Sequence, residues 1–341
     1  MNSRYLVILA AVISSLLVMG FVSAHVPVVG EPGSTPETAI EIMDPTKSLV
    51  IYSELQENEE PQYFSFEAPD GMRLRMTLNL PMEYLSSAFR PTVVLIGPDL
   101  GMNDTVPSYV EIPSGSEASL FIPDDAIAVY EGFTPSAFLV VLDVDTTLQA
   151  SGEYYLVVYE PNTGGRYSIT LGYREEFSLD EWIMVPINVI SIHLWEGQNL
   201  LLILTPIVLT VAIGILLILN KRFVTINKKS PVMWLGSIAS FLIIGSGISI
   251  FFQMILAALQ VPIDFQIIIT MLFGLMPVLT GYFAFKAFRY SEGNLETSSA
   301  IRILVLGVIS LFVWGGLLAG PILLWVAGLV GKISAVRTSQ V

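Results

Sequence analysis

The sequence predicts two parts in one chain: an extracytoplasmic all-β sandwich, followed by an α-helical membrane domain of four spans. The chain is 53% hydrophobic and only 13% charged over 341 residues, a composition typical of membrane proteins. Residues 200–219 carry no charge, and twenty helical residues at about 1.5 Å each cross a hydrocarbon core of roughly 30 Å. Before this stretch, short apolar runs alternate with turn signals, as in an all-β domain.

Charge is divided unevenly between the two parts. Residues 25–180 carry 25 acidic and 6 basic side chains, whereas the rest of the chain carries 5 acidic and 10 basic ones. The acidic part repels nucleic acid and anionic lipid, so we expect no nucleic-acid partner. The chain has no cysteine, which excludes disulfides, thiolate metal sites and a cysteine-linked lipid anchor.

The first 24 residues have the features of a secretory signal peptide. Arg4 precedes a long apolar run, and the small residues Val22-Ser23-Ala24 stand at the cleavage position. Cleavage there leaves His25 at the mature N-terminus. An uncleaved N-terminal anchor is the alternative, because the apolar run is long. Residues 25–48 are rich in Pro, Gly, Ser and Glu and are expected to form an extended lead-in.

Residues 49–176 are expected to form the β-sandwich. Apolar and polar residues alternate, as in residues 72–78, which places one face of a strand against a core. Turn signals such as Pro69-Asp70-Gly71 separate the strand candidates. The candidates are residues 49–53, 62–68, 72–79, 91–96, 119–122, 137–143, 153–160 and 166–173. Eight such strands favour an antiparallel sandwich.

Two pairs of stretches in this region resemble a known bacterial and archaeal family. Residues 62–66 (QYFSF) followed by residues 70–74 (DGMRL) look like the opening hairpin of a pre-peptidase C-terminal-like domain. Residues 152–158 (GEYYLVV) followed by residues 165–169 (GRYSI) look like its closing hairpin. The resemblance covers about residues 40–173. It implies a jelly-roll-like secreted accessory module with no activity of its own.

Residues 177–198 connect the β part to the first span. Trp182 and Trp195 lie among apolar residues there, and tryptophan prefers the headgroup level of a bilayer. We therefore expect an interfacial segment on the outer leaflet, anchored by these two side chains. A last strand or a helix packed on the sandwich is the alternative.

The spans are expected at residues 199–220, 232–256, 265–287 and 302–330, before a tail at residues 331–341. Basic residues, among them Lys221, Arg222 and Lys286, follow the first and third spans. Basic loops stay in the cytoplasm, so the β part is expected outside a cell membrane that the chain crosses several times.

The last apolar stretch leaves two topologies to consider. Four spans put the tail outside, although it carries Lys332 and Arg337. A re-entrant bend at Gly315-Gly316 or Gly320-Pro321 would put the tail inside. The 28 residues from 303 to 330 are too few for two full spans at about 20 residues each. We therefore expect one long or kinked span.

Two metal sites can be considered, although no cofactor is required by the sequence. An N-terminal His25 offers an amine and an imidazole to copper, but such a site needs a second histidine, and His193 is far away in the sequence. Asp124 and Asp125 could offer oxygen ligands to calcium. The ordinary interpretations are an exposed terminal histidine and a solvated acidic turn.

Recognisable catalytic patterns are absent from the sequence. Two histidines and no cysteine disfavour serine–histidine and thiol catalysis, and no Gly-rich phosphate loop is present. Inside the expected spans the main polar side chain is Gln253, which disfavours a pump or an ion-coupled transporter. We therefore expect that the protein is not an enzyme.

Small residues recur in the spans and allow close helix packing. They are Gly236, Ser240, Gly316 and Gly320. They are expected to join the four helices to one another, and the alternative is that they dock a partner membrane subunit. Asn103 begins an Asn-Asp-Thr glycosylation sequon in an expected external loop.

Three hypotheses for function follow. The first is a membrane-anchored binding or accessory protein whose β-sandwich contacts a ligand or a partner subunit. The second is a channel or transporter component in which the helices form a homo-oligomer around a pathway. The third is a copper-handling protein that uses His25. The sequence favours the first.

Overall fold

The computed structural model describes residues 26–28, 32–57, 60–101, 104–220, 230–262, 264–289 and 295–338. These residues form eleven strands, two short 3-10 helices (Pro36–Thr38 and Met82–Ser86) and six α-helices. The strands are β1 (Val26–Val28), β2 (Ile40–Glu41), β3 (Leu49–Leu55), β4 (Gln62–Ala68), β5 (Arg73–Pro81), β6 (Thr92–Gly97), β7 (Glu117–Phe121), β8 (Ile127–Glu131), β9 (Ser136–Thr147), β10 (Gly152–Tyr159) and β11 (Gly165–Leu171). The helices are α1 (Leu179–Trp195), α2 (Leu200–Leu219), α3 (Pro231–Ala258), α4 (Gln266–Arg289), α5 (Thr297–Phe312) and α6 (Ala319–Thr338).

The strands form two sheets. One sheet has six strands in the order β1-β3-β11-β5-β9-β8, and the other has five in the order β2-β4-β10-β6-β7. Alternate residues of β5, Leu74, Met76 and Leu78, are fully buried and share one hydrophobic core with Phe64 and Phe66 of β4 in the other sheet. The alternation read from the sequence therefore places the inner faces of both sheets in a common core.

All eight strand candidates occur, and three strands are additional. β1 and β2 lie in the expected lead-in, are only three and two residues long, and pair in parallel with β3 and β4. Such short edge strands have no alternation long enough to detect. The other strand pairs are antiparallel, as expected.

The two expected hairpins are wrong. β4 pairs with β10 in one sheet, and β5 pairs with β11 in the other. The turns after β4 and β10 therefore carry the chain from one sheet to the other. At the first crossing Gly71 has a φ of 76°, and its N–H donates to the Leu148 carbonyl over 2.9 Å. Leu148 lies in the turn between β9 and β10, so the first crossing is hydrogen-bonded to that turn as well as within itself, where the Met72 N–H donates to the Pro69 carbonyl.

Three of the described helices, α2, α3 and α4, are long and apolar enough to cross a membrane. They correspond to the first three expected spans. α3 packs against both α2 and α4, and also against α6. Close approach of α3 and α4 is possible because Gly236 lies against the Phe288 ring and Gly281 lies against the Ser240 carbonyl.

The expectation of one long or kinked span over residues 302–330 is wrong. The helical path stops after α5 and resumes at α6, and the residues between them turn the chain back. The residues with positive φ in this bend are Trp314, Gly316, Leu317 and Leu318. The bend is fixed by a hydrogen bond of 2.7 Å from the Gly316 N–H to the hydroxyl of Ser246 on α3. This long-range contact cannot be read from the apolar stretch itself.

α5 and α6 form an antiparallel helical hairpin. The Trp325 indole donates to the Leu304 carbonyl over 3.2 Å, next to the small Gly307. Further from the bend, Gly331 lies against the Leu295 side chain. The two ends of the hairpin therefore lie side by side.

The β part is joined to the helices at the turn between β8 and β9. The Thr270 hydroxyl on α4 donates to the Gly132 carbonyl over 2.6 Å, and it lies 2.7 Å from the buried Tyr130 hydroxyl. The Gly132 N–H donates to the side chain of Gln266, also on α4, over 3.1 Å. Hydrogen bonds between polar groups, which become buried when the two parts meet, therefore hold the β8–β9 turn against α4.

Helix α1 makes the second connection. Its first turn is bound by an ion pair of 2.6 Å between Glu181 and Lys47. Near its last turn the Trp195 indole donates to the Tyr167 carbonyl over 3.1 Å, and Arg166 donates to the Leu194 carbonyl over 3.1 Å. Both ends of α1 are thus attached to the β part.

We expect Thr270→Val to lower the stability of the full-length chain by about 1–3 kcal/mol, because the Gly132 carbonyl and the Tyr130 hydroxyl lose a buried partner. Thermal unfolding of the protein in detergent measures the effect. Thr205→Val is the matched control, since the exposed Thr205 hydroxyl donates only to the Leu201 carbonyl of its own helix. Equal losses in the two variants would contradict this role of Thr270.

Candidate functional site

A cleft lies at the junction between the β part and the helices. Its walls come from α1, α2, α3 and the bend between α5 and α6, and it contains about 620 Å³ of space free of protein atoms, part of it open to the surroundings. Most of the lining is apolar, from side chains that include Val185, Val189, Ile203, Ile207, Ile250 and Leu317.

One end of the cleft is polar and is centred on His193. This side chain is 1% exposed, and its Nδ1 lies 2.7 Å from Oε2 of Glu196, one helical turn further on. A carboxylate can only accept, so Nδ1 carries the proton. The Nε2 atom has no hydrogen-bond partner among the described residues. The other oxygen of Glu196 accepts from the Ala137 N–H of β9 over 3.3 Å.

A pair of glutamines completes this polar end. The side-chain N–H groups of Gln198 donate to Oε1 of Gln253 over 2.8 Å, and Gln253 donates back to Gln198 over 3.0 Å. Gln198 also lies 3.3 Å from Oε2 of Glu196. The pairing explains how Gln253, buried in the longest membrane helix, satisfies its amide. Glu196, His193, Gln198 and Gln253 thus form one hydrogen-bonded network.

Aromatic rings form the opposite side of the cleft and hold α1 to the bend. The Trp182 indole donates to the Phe312 carbonyl over 3.1 Å, and the Trp314 indole donates to the Trp182 carbonyl over 3.0 Å. The two rings lie 4.5 Å apart, and Phe133 from the β8–β9 turn packs edge-on against Trp314. Phe133 and Trp314 both line the cleft.

A second cavity, with more polar side chains in its lining, lies on the other side of α1, against the six-stranded sheet. It is lined by Glu131, Asn79 and Thr170 together with the Trp195 ring. The Asn79 amide donates to the Thr170 hydroxyl over 3.1 Å, but its oxygen has no partner among the described residues. Burial raises the pKa of the Glu131 carboxyl to about 7, although the Phe133 N–H that donates to it acts in the opposite direction.

Among the candidate metal ligands named from the sequence, the structure describes His193, Asp124 and Asp125. His25 and Asn103 lie outside the described residues, so copper binding by His25 and glycosylation of Asn103 stay predictions. Asp124 and Asp125 are exposed in the β7–β8 turn. In the part of the chain that the structure describes, no three His, Cys, Asp or Glu residues are close enough to hold a metal ion.

The expected anchors and packing residues all lie in contacts within the protein. Both Trp182 and Trp195 direct their indole N–H groups to protein carbonyls, and α1 is packed between the β part and the helices. Gly316 and Gly320 lie against each other and beside Ile243 of α3. The sequence did not single out Glu196 and Gln198, although the His-x-x-Glu spacing at the end of a helix was a usable signal.

Comparison of the chain with protein-family models and with curated proteins finds no match. The function is therefore inferred from the geometry of the molecule.

We expect the stability of the chain to fall as the pH rises from about 4.5 to about 7, through Glu131. The unfolded chain releases this proton at a lower pH than the folded chain, so it binds fewer protons in that window. Because of this group, the free energy of unfolding falls in this window by up to about 1.4 kcal/mol per pH unit.

Glu131→Gln keeps an acceptor for the Phe133 N–H but cannot ionise, so the variant should gain stability relative to the native chain as the pH rises from about 4.5 to about 7, and it should keep that advantage at higher pH. Unfolding measured across pH tests this. Asp125→Asn changes the same charge at an exposed position and serves as the control. If the free energy of unfolding of the native chain and that of Glu131→Gln change with pH in parallel, the Glu131 carboxyl has the same pKa in the folded and unfolded chain. That result would contradict the prediction.

Proposed function

We propose that the chain is a membrane-anchored extracytoplasmic binding or accessory protein, without a chemical step of its own. One observation carries the proposal: the β part and the membrane helices are locked together around a cleft to which both contribute. Phe133 of the β part and Ile250 of α3 line the same space. A ligand in that space touches both parts, so binding is coupled to the position of the outer domain.

The β part is proposed to be a jelly-roll-like sandwich of the pre-peptidase C-terminal type. The support is the placement of residues 62–74 and 152–169, the two regions that resemble the family. Each region begins in a strand of the five-stranded sheet, crosses over, and ends in a strand of the six-stranded sheet. In that family the module acts as an accessory to another protein. The same role fits a domain whose outer sheet face is covered by α1.

The membrane topology is proposed as three spans and a re-entrant hairpin, with the β part outside. The sixteen residues of α5 extend about 24 Å, less than the roughly 30 Å of a hydrocarbon core. A hairpin that returns to the side it entered brings Lys332 to the same side as Lys221 and Lys286, in keeping with the distribution of basic residues. The lipid bilayer is the first partner of this region.

Single cysteines test this topology without background, because the native chain has none. We expect Gln260→Cys to react with a membrane-impermeant maleimide in intact cells. Lys332→Cys and Asn220→Cys should react only after the membrane is permeabilised. Labelling of Lys332→Cys in intact cells would mean that the last stretch crosses the membrane completely, and would overturn the re-entrant hairpin.

Native mass spectrometry of the full-length protein, gently extracted from the membranes in which it is made, tests the binding function. We expect a mass above that of the chain and its detergent by one retained component, which is lost when Ile250→Trp fills the cleft. Leu209→Ala, on the exposed face of α2, is the control and should retain the component. A native chain that carries nothing would contradict a binding role, and a large homo-oligomer would favour a channel.

A further inference from the structure

We infer that the cleft binds an uncharged membrane amphiphile: a long alkyl chain that ends in a hydroxyl group. The inference rests on the proposed binding function and names the class of ligand. It follows from three properties of the cleft, namely its apolar walls, the single unsatisfied nitrogen at its polar end and its acidic surroundings.

The walls select an alkyl chain. Val189 of α1, Ile207 of α2 and Ile250 of α3 face one another across the space, and the polar lining is confined to a few side chains such as His193 and Gln253. Removing an alkyl chain from water is favourable, and the gain grows with each methylene group that is buried. No comparable gain is available to a compact polar ligand.

The polar end selects a hydroxyl group. Glu196 fixes the proton on Nδ1 of His193, so Nε2 of the neutral ring is a hydrogen-bond acceptor that the described residues leave without a donor. A buried acceptor without a partner costs free energy, which a ligand donor recovers. A hydroxyl group can donate to the neutral ring and can accept from the charged one, so it fits both protonation states.

Charge excludes the other common headgroups. The Glu196 carboxylate lies one imidazole ring away from Nε2, and the outer part of the chain, residues 25–180, has 25 acidic against 6 basic side chains. A phosphate or carboxylate group would be repelled by this field. An ammonium group would lose its hydration in an apolar cleft and would find only one neutral acceptor.

The ligand enters from the bilayer. α2 forms one wall of the cleft, and its opposite face exposes Leu209 and Leu216, the surface that a lipid-facing helix presents. The cleft is partly open to its surroundings. A membrane amphiphile reaches the site along the helix surface without crossing water.

Photolabelling of the full-length protein in phosphatidylcholine nanodiscs tests the inference. The probe is hexadecanol with a diazirine in its chain, and labelled peptides are mapped by mass spectrometry. We expect labels on Val189, Ile207 or Ile250, and protection by excess hexadecanol but not by heptadecane, which has the same number of heavy atoms. Equal protection by the alkane would overturn the hydroxyl selection. Labels spread evenly over Leu209 and Leu216 would overturn the site.

Variants of His193 test the proposed acceptor. His193→Phe keeps a ring but removes Nε2, and it should lower protection by hexadecanol roughly fivefold, the value of one net hydrogen bond. His193→Gln restores an acceptor near Nε2 and should recover most of the protection. Thermal unfolding of each variant shows that it is folded. Unchanged protection in folded His193→Phe would refute the role of His193.

The two proposals can fail separately. A retained component in native mass spectrometry, combined with no protection by hexadecanol, refutes the ligand class and leaves the binding function in place. No retained component and no label in the cleft refute both.

Discussion

The structure depends on the pairing of polar groups that are buried where the β part meets the membrane helices. Each unpaired polar group there costs about 1–3 kcal/mol. The reciprocal contact of Trp182 and Trp314 is the centre of this pairing, because each indole satisfies a carbonyl on the other side of the contact. It fixes α1 against the bend, and the position of α1 in turn sets the width of the cleft and the depth of the Phe133 ring.

Glu196 extends the same principle to the polar end of the cleft. One oxygen of Glu196 accepts a hydrogen bond from the backbone of β9, and the other accepts one from the protonated Nδ1 of His193. The carboxylate therefore connects the sheet, the helix end and the imidazole with a single side chain. This arrangement leaves one nitrogen of a buried, cleft-lining histidine without a hydrogen-bond partner among the described residues, which is the chemical basis for the proposed ligand.

The candidate site could be predicted from the sequence only in part. His193 and Gln253 attract attention as rare polar residues among apolar ones, yet their connection through Gln198 spans 55 positions of the chain. Trp182 is expected at a lipid headgroup, and in the structure it is buried and donates to a protein carbonyl. Amphipathic residues of this kind satisfy either environment, so local sequence does not discriminate between lipid and protein.

By itself, the sequence determined the three helices that are long and apolar enough to cross a membrane and eight of the eleven described strands. Those features follow from hydrophobic content and periodicity, which are properties of neighbouring residues. Only the tertiary structure decided that β4 and β5 belong to different sheets, that α6 folds back on α5, and that Glu196 orients His193. Each of these depends on a partner distant in the chain, such as Ser246 for the bend at Gly316, and local periodicity carries no record of such a partner.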